Sequence, residues 1–443
     1  MTMLRHLKKH KEFIGHVGAI VSGRSIAAAF GLLLTPVVAR LFTPADFGVA
    51  ASYLAIAAIA AQVASLRYES AVVLPKDDKE ALLLAALAYR ILPAFCLLML
   101  CVTGLLKASG TGGRTFDLLG DWVWVLPITV LVMGGQDIQE SWLSRKKSFG
   151  LISKTVVLET TLGGIARIGF GVLGGSSVYG LILGHLLGAS GRLVMQGRAG
   201  AASLKATFRQ IEWPTMREIA RRYSDFPKLN APAGLVFSTG QNLPVLLFGA
   251  MFSPEIAGFF AMANRLAQIP VQIVAASVRR VFLQKAAAIH NDGRSLRRSF
   301  LLTAAGLLLI GAVPCAAIWM YGEPVLGWLL GARWLSAGRI LEIIAPWILT
   351  VWVTAPCNAI FIVLRKQSHW LVQQSIVTVV RLSAFGIGYS LELGAERTLG
   401  LFVLFAVIGN LATIAFALRL TGSLRASAEH VRVQDDYRGE LSE

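Results

Sequence analysis

Apolar stretches about as long as a bilayer is thick recur twelve times along this chain of 443 residues, each closed by a polar or charged break. About 20 apolar residues in a helix cross the hydrocarbon layer. A backbone in lipid must satisfy its own hydrogen bonds, so such stretches become helices. They fall at roughly 14–39, 47–66, 81–106, 120–141, 150–173, 176–195, 229–252, 255–277, 299–320, 339–363, 370–391 and 398–420. Composition agrees: 55% apolar residues, 15% charged ones and a mean hydropathy of +0.63 exclude an ordinary soluble domain. Only 321–338 stays open, with Glu323–Leu330 reading as an interfacial helix or a loop.

The charges test the count independently. With the N-terminus cytoplasmic, 31 of the 42 Lys and Arg residues lie on cytoplasmic segments and 6 on outer loops. Five lie inside spans: Arg24, Arg90, Arg167, Arg265 and Arg381. A wrong count would exchange sides partway and blur that bias, so twelve spans with both termini inside is the expectation. The net charge of +17 is then a property of cytoplasmic loops, and nucleic acid is not an expected partner. The basic opening Met1–Glu12 precedes an apolar run too long for a cleavable signal. Cys96, Cys101, Cys315 and Cys357 show no metal or redox spacing and read as small buried side chains.

A short motif marks two halves. Phe42-Thr43-Pro44-Ala45-Asp46-Phe47-Gly48 returns 210 residues later as Phe252-Ser253-Pro254-Glu255-Ile256-Ala257-Gly258. Thr43 and Ser253 suit a helix N-cap, and Pro44 and Pro254 suit the first helical position. Asp46 and Glu255 place negative charge in the first turn, and the glycines permit a close helix crossing. The expected organisation is a six-helix lobe over 1–196, a basic linker over 197–228, a second six-helix lobe over 229–420 and a cytoplasmic tail over 421–443. Within the connection Arg192–Lys228, Arg217–Arg222 reads as an amphipathic surface helix, and the mixed-charge tail after Thr421 as unstructured.

Ionisable groups at mid-membrane are costly and point to a pathway. Arg24 shares a helical face with Ala28, Gly31 and Thr35. Arg265 shares one with Gly258, Ala261, Gln268 and Gln272, and Arg381 one with Gln374, Thr378 and Gly388. All three stripes suit the wall of a wet cavity, where a guanidinium fork would match phosphate oxygens. The other reading is an interhelical salt bridge, with Asp137, Glu140, Glu159 or Glu342 as partner. Arg90 lies among apolar neighbours and reads as structural or snorkelling, as does Arg167 near a helix end. Gln241, Asn242 and Asn264 could bond sugar hydroxyls or serve as interhelical glue. Arg67 and Glu69, with Asp225, could gate the cytoplasmic side or serve as anchors and caps. Asp137 and Glu159 are the candidates for ion coupling.

Enzyme signatures are missing: no Ser/His/Asp arrangement, no metal-ligand spacing and no phosphate-binding P-loop occurs. The expectation is therefore a protein that is not an enzyme and needs no metal or cofactor. Its driving force would come from an ion gradient, the membrane potential or the passenger's own gradient.

Four segments carry a resemblance: Pro36–Gly48, Leu66-Arg-Tyr-Glu-Ser-Ala71, Ser224-Asp-Phe-Pro227 and Phe252–Arg265. In their order and spacing the chain resembles the Wzx-type flippases of the multidrug/oligosaccharidyl-lipid/polysaccharide (MOP) exporter superfamily. The resemblance implies an all-α integral membrane protein of about twelve transmembrane helices, in two pseudo-repeated lobes forming a MATE-like V. It implies that helices 1, 2, 7 and 8 line a lumen, which raises Arg24 and Arg265 over Arg381. The implied passenger is an undecaprenyl-pyrophosphate-linked oligosaccharide, a repeat unit of O-antigen, capsule or exopolysaccharide, carried across the bacterial inner membrane by alternating access. Implied partners are membrane lipid, a polysaccharide polymerase and a chain-length regulator. Lipid II flippases of the same superfamily typically carry two further helices, which these twelve stretches leave no room for. A drug/cation antiporter of the same architecture is the first rival, but it would favour acidic lumen helices. A polymerase or ligase is the second, and the short outer loops, such as Arg40–Asp46, disfavour it.

Overall fold

The structure, a computed structural model, describes residues 23, 25–174, 177–208 and 213–440, and among these it contains helices and no strand. The helices in chain order are α1 Ser25–Leu41, α2 Pro44–Ala64, α3 Tyr68–Ala71, α4 Asp78–Ala108, α5 Gly113–Leu119, α6 Leu126–Arg145, α7 Phe149–Leu173 and α8 Val178–Phe208. They continue as α9 Trp213–Arg222, α10 Ala231–Met251, α11 Pro254–Asn291, α12 Arg297–Leu330, α13 Leu335–Thr354, α14 Cys357–Val363, α15 Gln367–Ser390 and α16 Ala395–Glu440.

Of the expected spans, those from 47–66 onward fall on helices over their described residues, those at 120–141 and 339–363 each broken between two, and the first, 14–39, begins outside the described residues. Among the described residues nine are long and apolar enough to cross a membrane, or ten when the 69° bend between Phe116–Trp124 and Leu126–Arg145 is taken as one broken span. α1 is apolar but shorter. The outward surface is itself apolar: Leu97 is 63% exposed, Leu309 72% and Leu173 89%. A water-soluble fold would not leave such side chains uncovered in rows.

One open stretch takes a definite form and one local expectation needs correction. Within 321–338, Glu323–Leu330 is helix, as the end of α12, which stops at Leu330 where Gly331 takes a φ of +106°, a conformation that a helix-ending glycine supplies cheaply. The connection thought to begin at Arg192 is still helix there, because α8 extends to Phe208. Cys101 is exposed, whereas Cys96, Cys315 and Cys357 are buried as expected, and all four are free thiols.

Packing divides the chain into two compact units, Met1–Ala261 with Gly327–Trp334, and Met262–Leu326 with Leu335–Glu443. The expected lobes describe repeat halves, a different property, and their boundaries remain a proposal. In the first unit Leu84, Leu92, Ile138 and Tyr53 form a dry core. α7 and α8 meet through small residues: a Cβ on Gly188 would lie 2.5 Å from the Glu159 carbonyl oxygen. Close backbone approach of this kind is a main source of helix association in lipid. Polar ties cross the same core, with Gln136 donating to the Ala189 carbonyl at 2.7 Å and Tyr53 bonded to Thr129.

The repeated motif also lies in this unit, and its two copies meet. Thr43 and Asp46 form a reciprocal capping box, the Thr43 hydroxyl accepting from Asp46 N at 3.2 Å and Asp46 accepting from Thr43 N at 2.9 Å. Ser253 caps α11 more simply, accepting from Ile256 N at 3.3 Å. A Cβ on Gly48 would fall 1.7 Å from the Pro254 carbonyl oxygen, and one on Gly258 would fall 1.8 Å from that of Pro44. The contact is thus reciprocal, each copy's glycine resting on the other's proline carbonyl. Trp334, fully buried, closes it: its ring stands edge-on to Phe47 at 5.1 Å and Phe259 at 6.1 Å, and Nε1 donates to the Ala39 carbonyl at 2.9 Å.

In the second unit Phe361 is the hub of an aromatic core, 5.2 Å from Trp370 and 5.5 Å from Phe416. Glu342 is spent locally, accepting from the Glu323 backbone N–H at 2.8 Å.

Candidate functional site

The N-terminal half of α11 is a largely apolar stretch interrupted by a polar row, and the C-terminal half carries Arg279, Arg280 and Lys285. Asn264, Arg265 and Gln268 follow one another at helical spacing, Arg265 exposed and the two amides half-buried. Gln268 Nε2 donates to Asn264 Oδ1 at 3.4 Å, one turn back. That bond aligns both amides beside the guanidinium and leaves Asn264 a donor and Gln268 an acceptor for another molecule. A forked cation flanked by amides is what a phosphate bearing a polar substituent needs. Gln272 and Arg24 have side chains outside the described residues. Of the Arg24 stripe, Gly31 and Thr35 are described, Thr35 Oγ1 donating to the Gly31 carbonyl at 2.7 Å.

Arg381 has different surroundings from the wet wall expected of its stripe. It is buried inside the second unit, its guanidinium 5.5 Å from the Trp347 ring and 5.2 Å from that of Phe402. Flat stacking on aromatic faces suits a guanidinium, which is weakly hydrated for a cation.

Seven more candidates lie in the first unit. Leu66 and Arg67 both take left-handed backbone, with φ of 52° and 63°, where a side chain costs about 1–2 kcal/mol per residue. The turn they make carries Glu69 into the protein. There it accepts from Ser65 Oγ and from Ser70 Oγ at 3.1 Å, and pairs with Arg67 at 3.4 Å. Arg67 in turn donates to Gln62 at 3.1 Å. The first unit therefore does bring Arg67 and Glu69 together, as a polar knot at the end of α2. Asp225 stands apart, exposed at the start of a wide turn over Phe226–Asn230 that leads into α10.

Asn242 donates to the Ser238 carbonyl at 2.9 Å, and Ser238 Oγ donates to the Ala58 carbonyl at 3.3 Å. Together they tie α10 to α2, the glue reading, while Gln241 on the same helix is exposed. Glu159 and Glu140 share Arg192, which bonds Glu159 at 2.8 Å and also bonds Glu140. Asp137, one turn from Glu140 on α6, is exposed.

Two participants escaped the sequence reading. Arg192 was assigned to a loop because a charge near a span end reads that way, yet its acids come from α6 and α7, far off in sequence. Trp334 lay in the ambiguous stretch, and its partners are 75 or more residues away in the chain. No local pattern announces either. Among the described residues no cluster of His, Cys, Asp and Glu could hold a metal ion.

The sequence model of the family described as polysaccharide biosynthesis protein matches residues 37–339. The succinoglycan biosynthesis transport protein ExoT of Rhizobium meliloti (strain 1021) is 22% identical over 340 residues, covering 75% of this chain and 65% of that protein. The chain therefore spans about two-thirds of the length of that relative. Among solved structures it is similar to the inward-facing conformation of a multidrug resistance MATE family transporter of the MOP superfamily. The identity is 14% and the TM-score 0.72, over 92% of this chain and 99% of the other. It is also similar to the lipid II flippase MurJ in an inward closed conformation, at 12% identity and a TM-score of 0.68, over 93% and 92% of the two chains. At such identities the likeness is one of fold.

Proposed function

The chain belongs to the polysaccharide biosynthesis protein family and has the fold of the MOP-superfamily transporters, and from that premise we propose that it is a flippase for a lipid-linked oligosaccharide. The passenger is a polyprenyl pyrophosphate, of undecaprenyl length, bearing a short glycan for exopolysaccharide, O-antigen or capsule. It crosses the inner membrane while the isoprenoid tail remains in lipid. The protein breaks and makes no covalent bond.

One observation carries this reading: Asn264, Arg265 and Gln268 form a polar row, with Arg265 exposed, in the largely apolar N-terminal half of α11. An arginine at mid-membrane costs about 2.5–3.5 kcal/mol on insertion scales, and an anionic passenger compensates for it. Arg265 and Arg24 receive the pyrophosphate; Asn264, Gln268 and exposed Gln241 meet the sugar hydroxyls. Arg381, stacked between rings, has a secondary place in this scheme. Transport proceeds by alternating access, driven by the passenger's different affinity for the two states. Asp137 is the better placed carboxylate for an ion that resets the cycle, because Glu159 is already engaged by Arg192. Arg67, Glu69 and Asp225 act at the cytoplasmic entrance. Both termini lie in the cytoplasm, and a polymerase and chain-length regulator take over the exported unit.

The test is polymer export in cells that depend on this chain. Arg265→Ala and Arg24→Ala each abolish export with normal protein in the membrane, and Arg265→Lys restores only part of it, since the fork is lost. Normal export by both alanine variants removes the assignment.

A further inference from the structure

Away from the α11 row, the first unit contains a groove that the proposed transport cycle does not use. It is a cavity of about 390 Å³, within the roughly 300–1,000 Å³ typical of small-molecule sites. Leu87, Ile91, Phe95 and Leu98 of α4 line it together with Leu66 and with Met216 of α9. The walls are almost wholly apolar, and Arg90 is the one charged side chain among the described residues that line them. Ala94 and Leu98 are exposed, so the groove opens along the side of α4.

α9 supplies Met216 to this groove and is itself strongly basic. Met216 and Ile219 are buried in the first unit's core, three residues apart on one face. Arg217 and Arg221, four apart, are exposed on the other face. The helix is fixed in place: Arg222 pairs with Glu80 at 2.8 Å, and the Ala220 carbonyl accepts from Tyr68 Oη at 3.0 Å. Arg90 joins the same end. Side chains on a helix lean toward its N-terminus, here the Asp78 end, and the Arg90 guanidinium reaches Met216 Sδ at 2.8 Å. One long apolar slot with a cation at its basic rim has the form of an acyl chain with a phosphate at its head.

We propose that this groove is a binding site for one anionic phospholipid, an acyl chain lying along Ile91–Leu98, the phosphate against Arg90, and the headgroup held near α9 by the field of its exposed Arg217 and Arg221. Charge decides the occupant, because a polybasic amphipathic helix draws acidic headgroups out of a mixed bilayer. The apolar lining offers nothing for a glycan, so the passenger's head does not belong here. The proposal is independent of how the passenger is carried.

Native mass spectrometry of the purified full-length chain tests it, with phosphatidylglycerol, phosphatidylethanolamine and undecaprenyl phosphate as separate arms. Phosphatidylglycerol is expected to be retained in preference to phosphatidylethanolamine. Arg90→Gln should cut that retention about fivefold, as should each of Arg217→Gln and Arg221→Gln, the share of one basic residue near a membrane surface. Arg90→Lys should keep most of it. Ala94→Phe, at an exposed position, should lower it by filling the slot, which keeps the idea testable if Arg90→Gln fails to fold. Equal retention of the two phospholipids, retention unchanged by both Arg90→Gln and Ala94→Phe, or undecaprenyl phosphate outcompeting phosphatidylglycerol would each overturn the proposal.

Discussion

At the scale of single residues, the charges of this protein divide into those already satisfied within one unit and those that are not enclosed. Arg192 is the clearest of the first kind, since its two carboxylates leave it no role as a passenger contact. Removing it should leave Glu140 and Glu159 facing each other without a cation. Arg192→Ala is therefore expected to cost about 3 kcal/mol or more. Neutralising both acids as well, in Arg192→Ala/Glu140→Gln/Glu159→Gln, should recover much of the loss in thermal unfolding followed by tryptophan fluorescence; no recovery would mean that the triad is not one coupled unit. Glu69 is a second such case. Its bonds to Ser65, Ser70 and Arg67 predict a loss of about 1.5–3 kcal/mol for Glu69→Ala in the same measurement. Sequence reasoning grouped Arg67 and Glu69 with Asp225 as candidates for a gate, whereas the pair the fold forms is between Arg67 and Glu69, near neighbours in the chain. It placed Arg192 in a loop because α6, α7 and α8 come together only on folding. Arg381 carried the same stripe pattern as Arg265, and helical periodicity alone does not distinguish a wet neighbour from an aromatic one.

At the scale of elements, the helix starts were legible to the residue. Thr43, Pro44 and Asp46, and Ser253, Pro254 and Glu255, take the capping positions that their types predict. The two caps differ in strength, and the difference can be measured. Thr43→Ala breaks a reciprocal pair of bonds and should cost about 1 kcal/mol or somewhat more, whereas Ser253→Ala, losing one bond, should cost less. The close approach expected of the glycines was also correct, although the sequence could not say that Gly48 and Gly258 approach each other's copies. A methyl group at either position meets a carbonyl oxygen within 2 Å. Gly48→Ala and Gly258→Ala should each destabilise by at least the roughly 1–3 kcal/mol of an overpacked core, read as early aggregation in a thermal gel-filtration series. A wild-type melting profile for either would contradict the crossing. Helix ends were less legible: α8 and α12 outrun their expected limits because hydropathy falls at the membrane edge while helix propensity does not.

For the whole molecule, twelve apolar stretches and the bias of basic residues specified an all-helical membrane protein before any coordinates, since no other arrangement satisfies so long an apolar chain in lipid. The sidedness that follows is open to direct labelling. In a Cys101→Ala background, Ser109→Cys, at the exposed end of α4, should react with a membrane-impermeant maleimide in intact cells. Lys147→Cys, exposed between α6 and α7, should react only after lysis. The opposite pattern would reverse the membrane orientation and, with it, the direction of transport proposed here.

Where Gly48 rests on Pro254 and Gly258 on Pro44, the nearest atoms on each side are those of backbone peptide groups. Backbone has no rotamer to swing aside, so neither side of the crossing can yield alone. The two helix starts are therefore obliged to move as a pair.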